Sequence, residues 1–209
     1  DHRDLHLSLR RQRQMCIRDR YCILSEIKSK NPNHCEELIP AIEDLLSKED
    51  KVLEDVHQVR VNVGPGNLTS IRIGLTVANL YGQFLGAEII GVSSFHCIAS
   101  ICKESNKDII VAFNIRNNNY AYAIFDKKNQ MLIDYRLVVN RKEFDQINKK
   151  EFKLLTDSSA DSYLIDSSFD VVEINAEMIS RLNISDIKDF IQKEVPLKPI
   201  NDYSYVVNK

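Results

Sequence analysis

Alternating apolar and polar residues lead into the most distinctive segment of this chain. Val59, Val61 and Val63 alternate with Arg60 and Asn62, which is the period-2 pattern of a strand with one buried face. From position 69 to position 86 the spacing becomes helical, and the apolar residues form two flanks. One flank holds Ile71, Leu75 and Leu85, and the other holds Ile73, Val77, Leu80, Tyr81 and Phe84. A helix that is apolar on most sides must be covered on more than one side.

The segments around this strand and helix predict an α/β lobe. We expect a short strand over 21–27, a helix with an apolar stripe over 33–47, a strand over 88–92, and a helix that starts at Ser93 or Ser94. Pro40 lies in the second turn of the first helix, where it removes one backbone hydrogen bond and should either bend the helix or delay its regular part. Alternation of strands and helices is typical of an α/β fold.

A second α/β lobe is predicted after Asn106. Three apolar runs, over 109–113, 120–125 and 131–138, have the composition of neighbouring strands and predict an antiparallel meander. Later helices are expected over 176–182 and 186–193. We therefore predict a first lobe over 21–106 and a second lobe over 107–209, preceded by a separate segment over 1–20.

Small residues recur every four positions along the 69–86 helix, at Gly74, Ala78, Gly82 and Gly86. Glycine inside a helix costs roughly 0.5 to 1 kcal/mol relative to alanine, so this ridge needs a reason. The ridge would be explained if the backbone of another element approached the helix closely at these small residues. The pattern alone leaves open whether the same lobe or a helix of a partner protein covers the ridge. A membrane span is disfavoured, because polar residues interrupt a stretch shorter than the roughly 20 residues required.

The turn between the strand and the helix allows two interpretations. Helix amino-terminal N–H groups favour anions, so Gly64, Pro65, Gly66, Thr69 and Arg72 form either a purely structural turn or a phosphate contact. A P-loop requires a lysine after its last glycine, and a dinucleotide fingerprint requires a third glycine at position 69. The chain has neither.

Composition narrows the function classes. The 28 basic and 30 acidic residues give a net charge of −2, which offers no overall attraction for nucleic acid or a membrane. Five scattered cysteines do not suggest a disulfide framework, so a reducing, cytoplasmic setting is expected. His34, His57 and His96 lie on separate predicted elements without metal-ligand spacing. We identify no metal site and no catalytic residue.

The first twenty residues differ from the rest in charge. They hold six arginines and three aspartates, whereas the remaining residues carry more acidic than basic groups. The run from Ser8 to Arg20 resembles a translated sequencing adapter more than a native segment, and the chain opens on Asp1 without an initiator methionine. We expect this segment to be unpacked.

Several motifs together resemble one known family. The run GPGNLTSIRIG, from Gly64 to Gly74, closely resembles the GPGSFTGLRIG signature of the TsaB (YeaZ) proteins. Residues 33–40 resemble the HSE-LLP helix of that family, 91–94 its GVSS segment, 114–120 its DAR segment, and 196–197 its final proline-rich strand. The resemblance covers roughly residues 21 to 200.

The resemblance implies a fold and a function. The fold is the two-lobed, actin-like ATPase (ribonuclease H-like) α/β fold of the Gcp-like proteins in the ASKHA superfamily. The implied role is that of a non-catalytic scaffold subunit of the complex that makes N6-threonylcarbamoyladenosine at position 37 of tRNAs reading codons that begin with A. The chain would bind a TsaD-type transferase, which carries the metal and the catalytic site. A TsaE-type ATPase would join through the complex.

Further partners and ligands follow from the same resemblance. Contact with tRNA would be indirect, and ATP would be used by the complex, with no cofactor assigned to this chain. A homodimer in the absence of the partner is left open, and no membrane is involved. The family builds a helical bundle with TsaD from two helices, which correspond here to residues 33–47 and 69–86. The predicted partner-binding residues are Leu38, Ile42, Ile71, Gly74, Leu75, Ala78, Gly82 and Leu85.

Departures from the family pattern qualify these expectations. Actin-like folds begin with a strand ending in Asp-Thr-Ser, and the basic segment over 1–20 stands in its place. We therefore expect the first lobe to lack its first strand. Asn67, Leu68 and Ser70 replace Ser, Phe and Gly of the signature, and Asn114 replaces the Asp of the DAR segment, which puts a nucleotide contact in doubt.

Two alternatives come from other classes of protein. A stand-alone enzyme of the actin-like superfamily, either a small-molecule kinase or a peptidase, would need an acidic strand end that grips phosphate or a pair of metal ligands. Neither is visible in the sequence. A direct tRNA-binding module is weakened by the net charge of −2.

Overall fold

The chain forms two compact units, each built around its own sheet. The computed structural model describes residues 5–10, 14–18, 23–27, 34–102, 105–127, 132–184, 187, 192–193 and 196–200. Unit 1 comprises Asp1–Ser93 and Asn175–Lys209, and unit 2 comprises Ser94–Ile174.

The elements follow one another along the chain in this order. The first part of unit 1 contains β1 (Leu5–Arg10), β2 (Gln14–Arg18), β3 (Ile23–Ile27), α1 (His34–Lys48), β4 (Val56–Gly64), α2 (Leu68–Leu85) and β5 (Glu88–Ser93). Unit 2 contains α3 (Ser94–Ala99), β6 (Ile109–Ile115), β7 (Asn119–Phe125), β8 (Leu132–Asn140), α4 (Arg141–Asp145), β9 (Lys153–Asp157), α5 (Ser162–Asp166) and β10 (Asp170–Val172). The chain then returns to unit 1 with α6 (Ala176–Arg181).

The sheet of unit 1 has the strand order β3-β2-β1-β4-β5. Strands β1, β4 and β5 are parallel, whereas β1 to β3 form an antiparallel meander. Helix α2 is the crossover between the parallel strands β4 and β5, as such a connection requires. The inner flank of α2 and the buried apolar face of α1 share one core with β4. Ile42, Leu45, Val59 and Leu75 are buried in this core.

The structure overturns the expectation for residues 1–20. Strand β1 pairs in parallel with β4, with Leu7 opposite Val59 and Leu9 opposite Val61, and β2 pairs with β1. The first lobe therefore has a strand beside β4, and the prediction of an unpacked segment with a missing strand is wrong. The physical reason is visible in the sequence of β1, LHLSLR, which alternates leucine with polar residues at strand spacing.

The division into units also differs from the predicted boundaries at 106 and 107. Residues from Asn175 onward lie with the first unit, and α3 lies with the second. Arg60 on β4 donates through Nη1 to the carbonyl oxygens of Ser180 and Leu182, each at 2.9 Å. The amide of Gly91 on β5 donates to the carbonyl of Gln192 at 2.8 Å. These bonds join residues about a hundred positions apart, so no local pattern signals them.

The sheet of unit 2 has the strand order β10-β9-β6-β7-β8. The predicted meander is confirmed, because β6, β7 and β8 pair antiparallel in sequence order. Strand β9 adds in parallel to β6, and β10 adds in parallel to β9; these two strands and α5 were not predicted. In the core of this unit the rings of Tyr120 and Phe144 stack with their centroids 5.1 Å apart.

Most predicted helices are confirmed with small shifts of their ends. Pro40 lies inside α1, which continues to Lys48. Asn140 caps α4 by accepting a hydrogen bond from the Glu143 amide at 3.0 Å. The helix predicted over 186–193 falls mainly outside the described residues. None of the helices in the described part of the chain is long and apolar enough to cross a membrane.

Candidate functional site

The turn before α2 is held by its own hydrogen bonds. Gly64 has a φ of 103°, a left-handed conformation that favours glycine, and its amide donates to Oδ1 of Asn62 at 2.7 Å. A Cβ at Gly64 would lie 3.1 Å from Cδ1 of Ile71. Asn67 then caps α2, since its Oδ1 accepts from the Ser70 amide at 3.2 Å. The local signals in the sequence thus account for both the turn and the start of the helix.

The residues considered for a phosphate contact lie at this turn and in the first turns of α2. Pro65 is buried, whereas Thr69 and Arg72 are exposed. The carbonyl of Val63, next to the turn, accepts a hydrogen bond from the amide of Ile200 at 2.9 Å, so the carboxyl-terminal segment reaches the end of β4. These hydrogen bonds fit the interpretation of the segment as a purely structural turn. The phosphate contact stays a prediction.

One flank of α2 belongs to the core of unit 1. The exposed fractions of Ile71, Leu75 and Ala78 are 5%, 3% and 0%. A Cβ at Gly74 would lie 3.4 Å from Cγ2 of Val61 on β4, so the small residue allows the helix to approach the strand closely. The first half of the small-residue ridge is therefore explained by packing within the same lobe, which was the alternative left open by the sequence.

This placement corrects the predicted set of partner-binding residues. Ile42, Ile71, Leu75 and Ala78 are buried in the core of unit 1, and a partner cannot contact them while the unit stays folded. The other predicted positions are partly buried; they are Leu38, Gly74, Gly82 and Leu85. The sequence shows two apolar flanks on α2, and the partner-binding residues predicted on this helix lie on the side that packs inward.

The opposite flank of α2 is divided: Val77 is buried in the core of unit 1 and Tyr81 packs against it, whereas other apolar side chains of this flank are in contact with solvent. Phe84 is 75% exposed and Leu80 is 44% exposed, and Ile39 on α1 is 46% exposed. Ile73 is partly buried and lies on the same side of α2 as Leu80 and Phe84, because positions 73, 80 and 84 follow helical spacing. We call Ile39, Ile73, Leu80 and Phe84 the apolar stripe.

The junction of α1 and α2 lies beside this stripe. Tyr81 on α2 follows Leu80, and its hydroxyl is buried without a hydrogen-bond partner among the described residues. Burial raises the pKa of the Tyr81 phenol, and the nearby carboxylate of Glu43 on α1 raises it further. Helices α1 and α2 meet in one core, since Leu38 on α1 and Tyr81 on α2 both pack against its buried residues.

Residue types that could take part in catalysis or metal binding are dispersed over the other described elements. His57 lies on β4 of unit 1, and the ring of His96 on α3 of unit 2 meets Phe125 edge-on at 5.1 Å. Cys97 and Cys102 are free thiols, the first of them buried. Within the described ranges no group of three or more His, Cys, Asp or Glu side chains is placed to hold a metal ion.

The segment that resembles the DAR motif forms the hairpin between β6 and β7. Asn117 and Asn118 adopt left-handed φ values of 61° and 55° in this hairpin. Oδ1 of Asn114 is buried without a partner among the described residues. Tyr120 donates its hydroxyl hydrogen to Oδ2 of Asp161 at 2.9 Å; burial and this hydrogen bond both raise the pKa of Tyr120.

Comparison with known proteins connects these features to one group. Residues 23–155 match the family model described as "TsaD: tRNA N6-adenosine threonylcarbamoyltransferase". The protein named tRNA threonylcarbamoyladenosine biosynthesis protein TsaB from Buchnera aphidicola (subspecies Acyrthosiphon pisum) is 27% identical over 85% of this chain and 81% of its own length. The protein of the same name from Bacillus subtilis is 28% identical over 56% of this chain and 51% of its own length.

A solved structure shows the same fold. An uncharacterised Pseudomonas aeruginosa protein, described as similar to the peptidase YEAZ, superimposes with a TM-score of 0.73 at 14% identity. The superposition covers 95% of this chain and 99% of the other. The α/β, actin-like fold implied by the sequence motifs is thereby confirmed.

Proposed function

We propose that this chain, which belongs to the family that the TsaD model describes and has relatives named TsaB, is a non-catalytic scaffold subunit in the synthesis of threonylcarbamoyladenosine on tRNA. In this role it binds and supports a TsaD-type transferase in the cytoplasm. A TsaE-type ATPase and the tRNA meet it only within the complex, and the complex rather than this chain uses ATP.

The observation that carries the proposal is the apolar stripe on α1 and α2. Phe84, Leu80 and Ile39 expose 75%, 44% and 46% of their surface on two adjacent helices. Single apolar residues on a surface are ordinary, but a contiguous group of large ones marks an interaction site. Full burial of a side chain of the size of Phe or Leu is worth about 1.5–3 kcal/mol, so the stripe can supply the centre of an interface.

The spacing of the stripe indicates what covers it. Ile73, Leu80 and Phe84 lie on one side of α2, and Ile39 is exposed on α1, which packs in the same core as α2. A partner helix that lies along such a stripe presents its own apolar residues at helical spacing. A TsaD-type subunit that contributes helices to this face would complete a helical bundle, with the inner flank of α2 still packed on β4.

Reconstitution tests the proposed role. The purified chain is mixed with its cognate TsaD-type and TsaE-type subunits, ATP, the threonylcarbamoyl precursors and unmodified tRNA, and the modified nucleoside is measured by mass spectrometry. We expect the full mixture to modify the tRNA, the chain alone to give no product, and omission of the chain to remove most of the activity. Unchanged activity without the chain would refute the scaffold role. ATP hydrolysis or peptide cleavage by the chain alone, abolished by a point substitution, would instead support a stand-alone enzyme.

A further inference from the structure

Strand β8 forms one end of the sheet in unit 2. It pairs with β7 on its inner side, and within the described ranges no strand pairs with its outer side. Ile133 and Tyr135 on this strand expose 55% and 43% of their surface. A strand edge with exposed apolar residues is a template for pairing with a further strand, and the same strand of a second copy is always available.

The regular part of β8 is short. Its pairing with β7 shifts register between Tyr120 and Tyr122, and again between Ile124 and Phe125. Such β-bulges twist a strand and interrupt the row of backbone groups that a further strand would need. Between the two shifts, residues 134–136 stay in continuous register with β7. These three residues are therefore the part of the outer edge on which another strand could pair.

Side chains occupy the backbone groups of the central residue of this stretch. The amide of Tyr135 donates to Oδ1 of Asp134 at 2.8 Å, and the carbonyl of Tyr135 accepts from Nη1 of Arg136 at 2.9 Å. The same Nη1 donates to Oδ1 of Asp134 at 3.1 Å, which closes the cluster. Alternate residues of an antiparallel strand direct both backbone groups to the same side. Because both groups of Tyr135 are bonded to solvent-accessible side chains of β8 itself, that side is the outer edge.

We propose that Asp134 and Arg136 block the outer edge of β8 and so prevent two copies of this chain from joining their sheets. Without these side chains, the amide and the carbonyl of Tyr135 would face a second strand. A two-fold axis at Tyr135 would then let the amide of each copy donate to the carbonyl of the other, as in a hydrogen-bonded pair of an antiparallel ladder. The inference concerns unit 2 and is independent of the proposed scaffold role, whose apolar stripe lies in unit 1.

Analytical ultracentrifugation of the full chain tests this inference. The variant Asp134→Ala/Arg136→Ala removes one acidic and one basic side chain, so the net charge is unchanged. It should raise the self-association constant roughly tenfold or more, which is the effect of two reciprocal hydrogen bonds of ordinary net strength. The variant is also made together with Leu80→Asp/Phe84→Asp, which removes the apolar stripe as another route of association.

The matched control is Lys142→Ala/Glu143→Ala. It also removes one basic and one acidic side chain at exposed positions of unit 2, and it should associate no more strongly than its parent. Adding Tyr135→Pro to the Asp134→Ala/Arg136→Ala variant removes the amide that pairing requires and should return self-association to the control level. Proline is tolerated on an edge strand where its nitrogen faces solvent, and circular dichroism checks that each variant is folded.

Hydrogen–deuterium exchange provides a second readout that does not depend on the proline variant. Peptides from Leu132–Asn140 should exchange more slowly in the self-associated Asp134→Ala/Arg136→Ala variant than in the control. Self-association of that variant no stronger than the control refutes the inference. Self-association that survives Tyr135→Pro, or that leaves exchange in β8 unchanged, also refutes it. None of these results affects the scaffold role, which is measured by tRNA modification.

Discussion

Replacing Phe84 and Leu80 by aspartate is expected to abolish measurable binding of the TsaD-type subunit while leaving the fold intact. Both side chains are exposed on α2, and neither belongs to the buried core of unit 1, so the substitutions leave that core in place. In the complex the same positions would be buried against apolar residues, and a carboxylate there would be desolvated without a partner. Central apolar anchors commonly contribute 2 kcal/mol or more to an interface, which corresponds to about 30-fold in affinity for each.

Isothermal titration calorimetry with the purified cognate subunit measures this effect. The control variant Ile133→Asp/Ile165→Asp changes two exposed isoleucines of unit 2, which show 55% and 54% exposure. We expect the control to bind like the wild type and to have the same melting temperature. Binding of the Phe84→Asp/Leu80→Asp variant at wild-type affinity would show that the stripe lies outside the interface.

Leu75→Ala is expected to lower the free energy of unfolding by about 2–5 kcal/mol, because it leaves a cavity in the core of unit 1. Leu75 is 3% exposed and packs in one cluster with Val61 and Ile71. Phe84→Ala, on the same helix but on the opposite flank, should change the free energy of unfolding by no more than about 0.5 kcal/mol. The pair therefore measures which flank of α2 is the core flank.

Urea denaturation followed by circular dichroism gives both free energies. The predicted difference is large compared with the uncertainty of the method. If Leu75→Ala were as mild as Phe84→Ala, and if it also weakened binding of the TsaD-type subunit, the inner flank would face the partner. In that case the residues expected from the sequence would be the interface after all.

The limits of helix α2 could be predicted from local chemistry. Asn67 caps its start, and Gly86 ends it in the left-handed conformation with a φ of 67°. Which flank faces inward could not be predicted, because both flanks are apolar and the choice depends on where β4 lies in space. The close approach of α2 to β4 at Gly74, where an added Cβ would lie 3.4 Å from Cγ2 of Val61, decides it, and that approach is a property of the folded lobe.

Other differences from the sequence-based expectations have equally specific causes. The strand Leu5–Arg10 alternates leucine with polar residues, but the excess of arginine over residues 1–20 is more typical of a solvated segment than of a strand. The return of the chain to unit 1 depends on Arg60 and two carbonyl groups about 120 residues away, which no single-sequence pattern connects. Strands β9 and β10 are short, with five and three residues, and add to the sheet through non-local pairing.

Hydrogen–deuterium exchange of the full chain, with and without its cognate TsaD-type subunit, tests the central claim most directly. If α1 and the outer flank of α2 form the interface, peptides from His34–Lys48 and Leu68–Leu85 should exchange more slowly in the complex, while peptides from β6 to β10 keep their rates. Slower exchange confined to Ser94–Ile174, or no change in α1 and α2 at saturating partner, would contradict it.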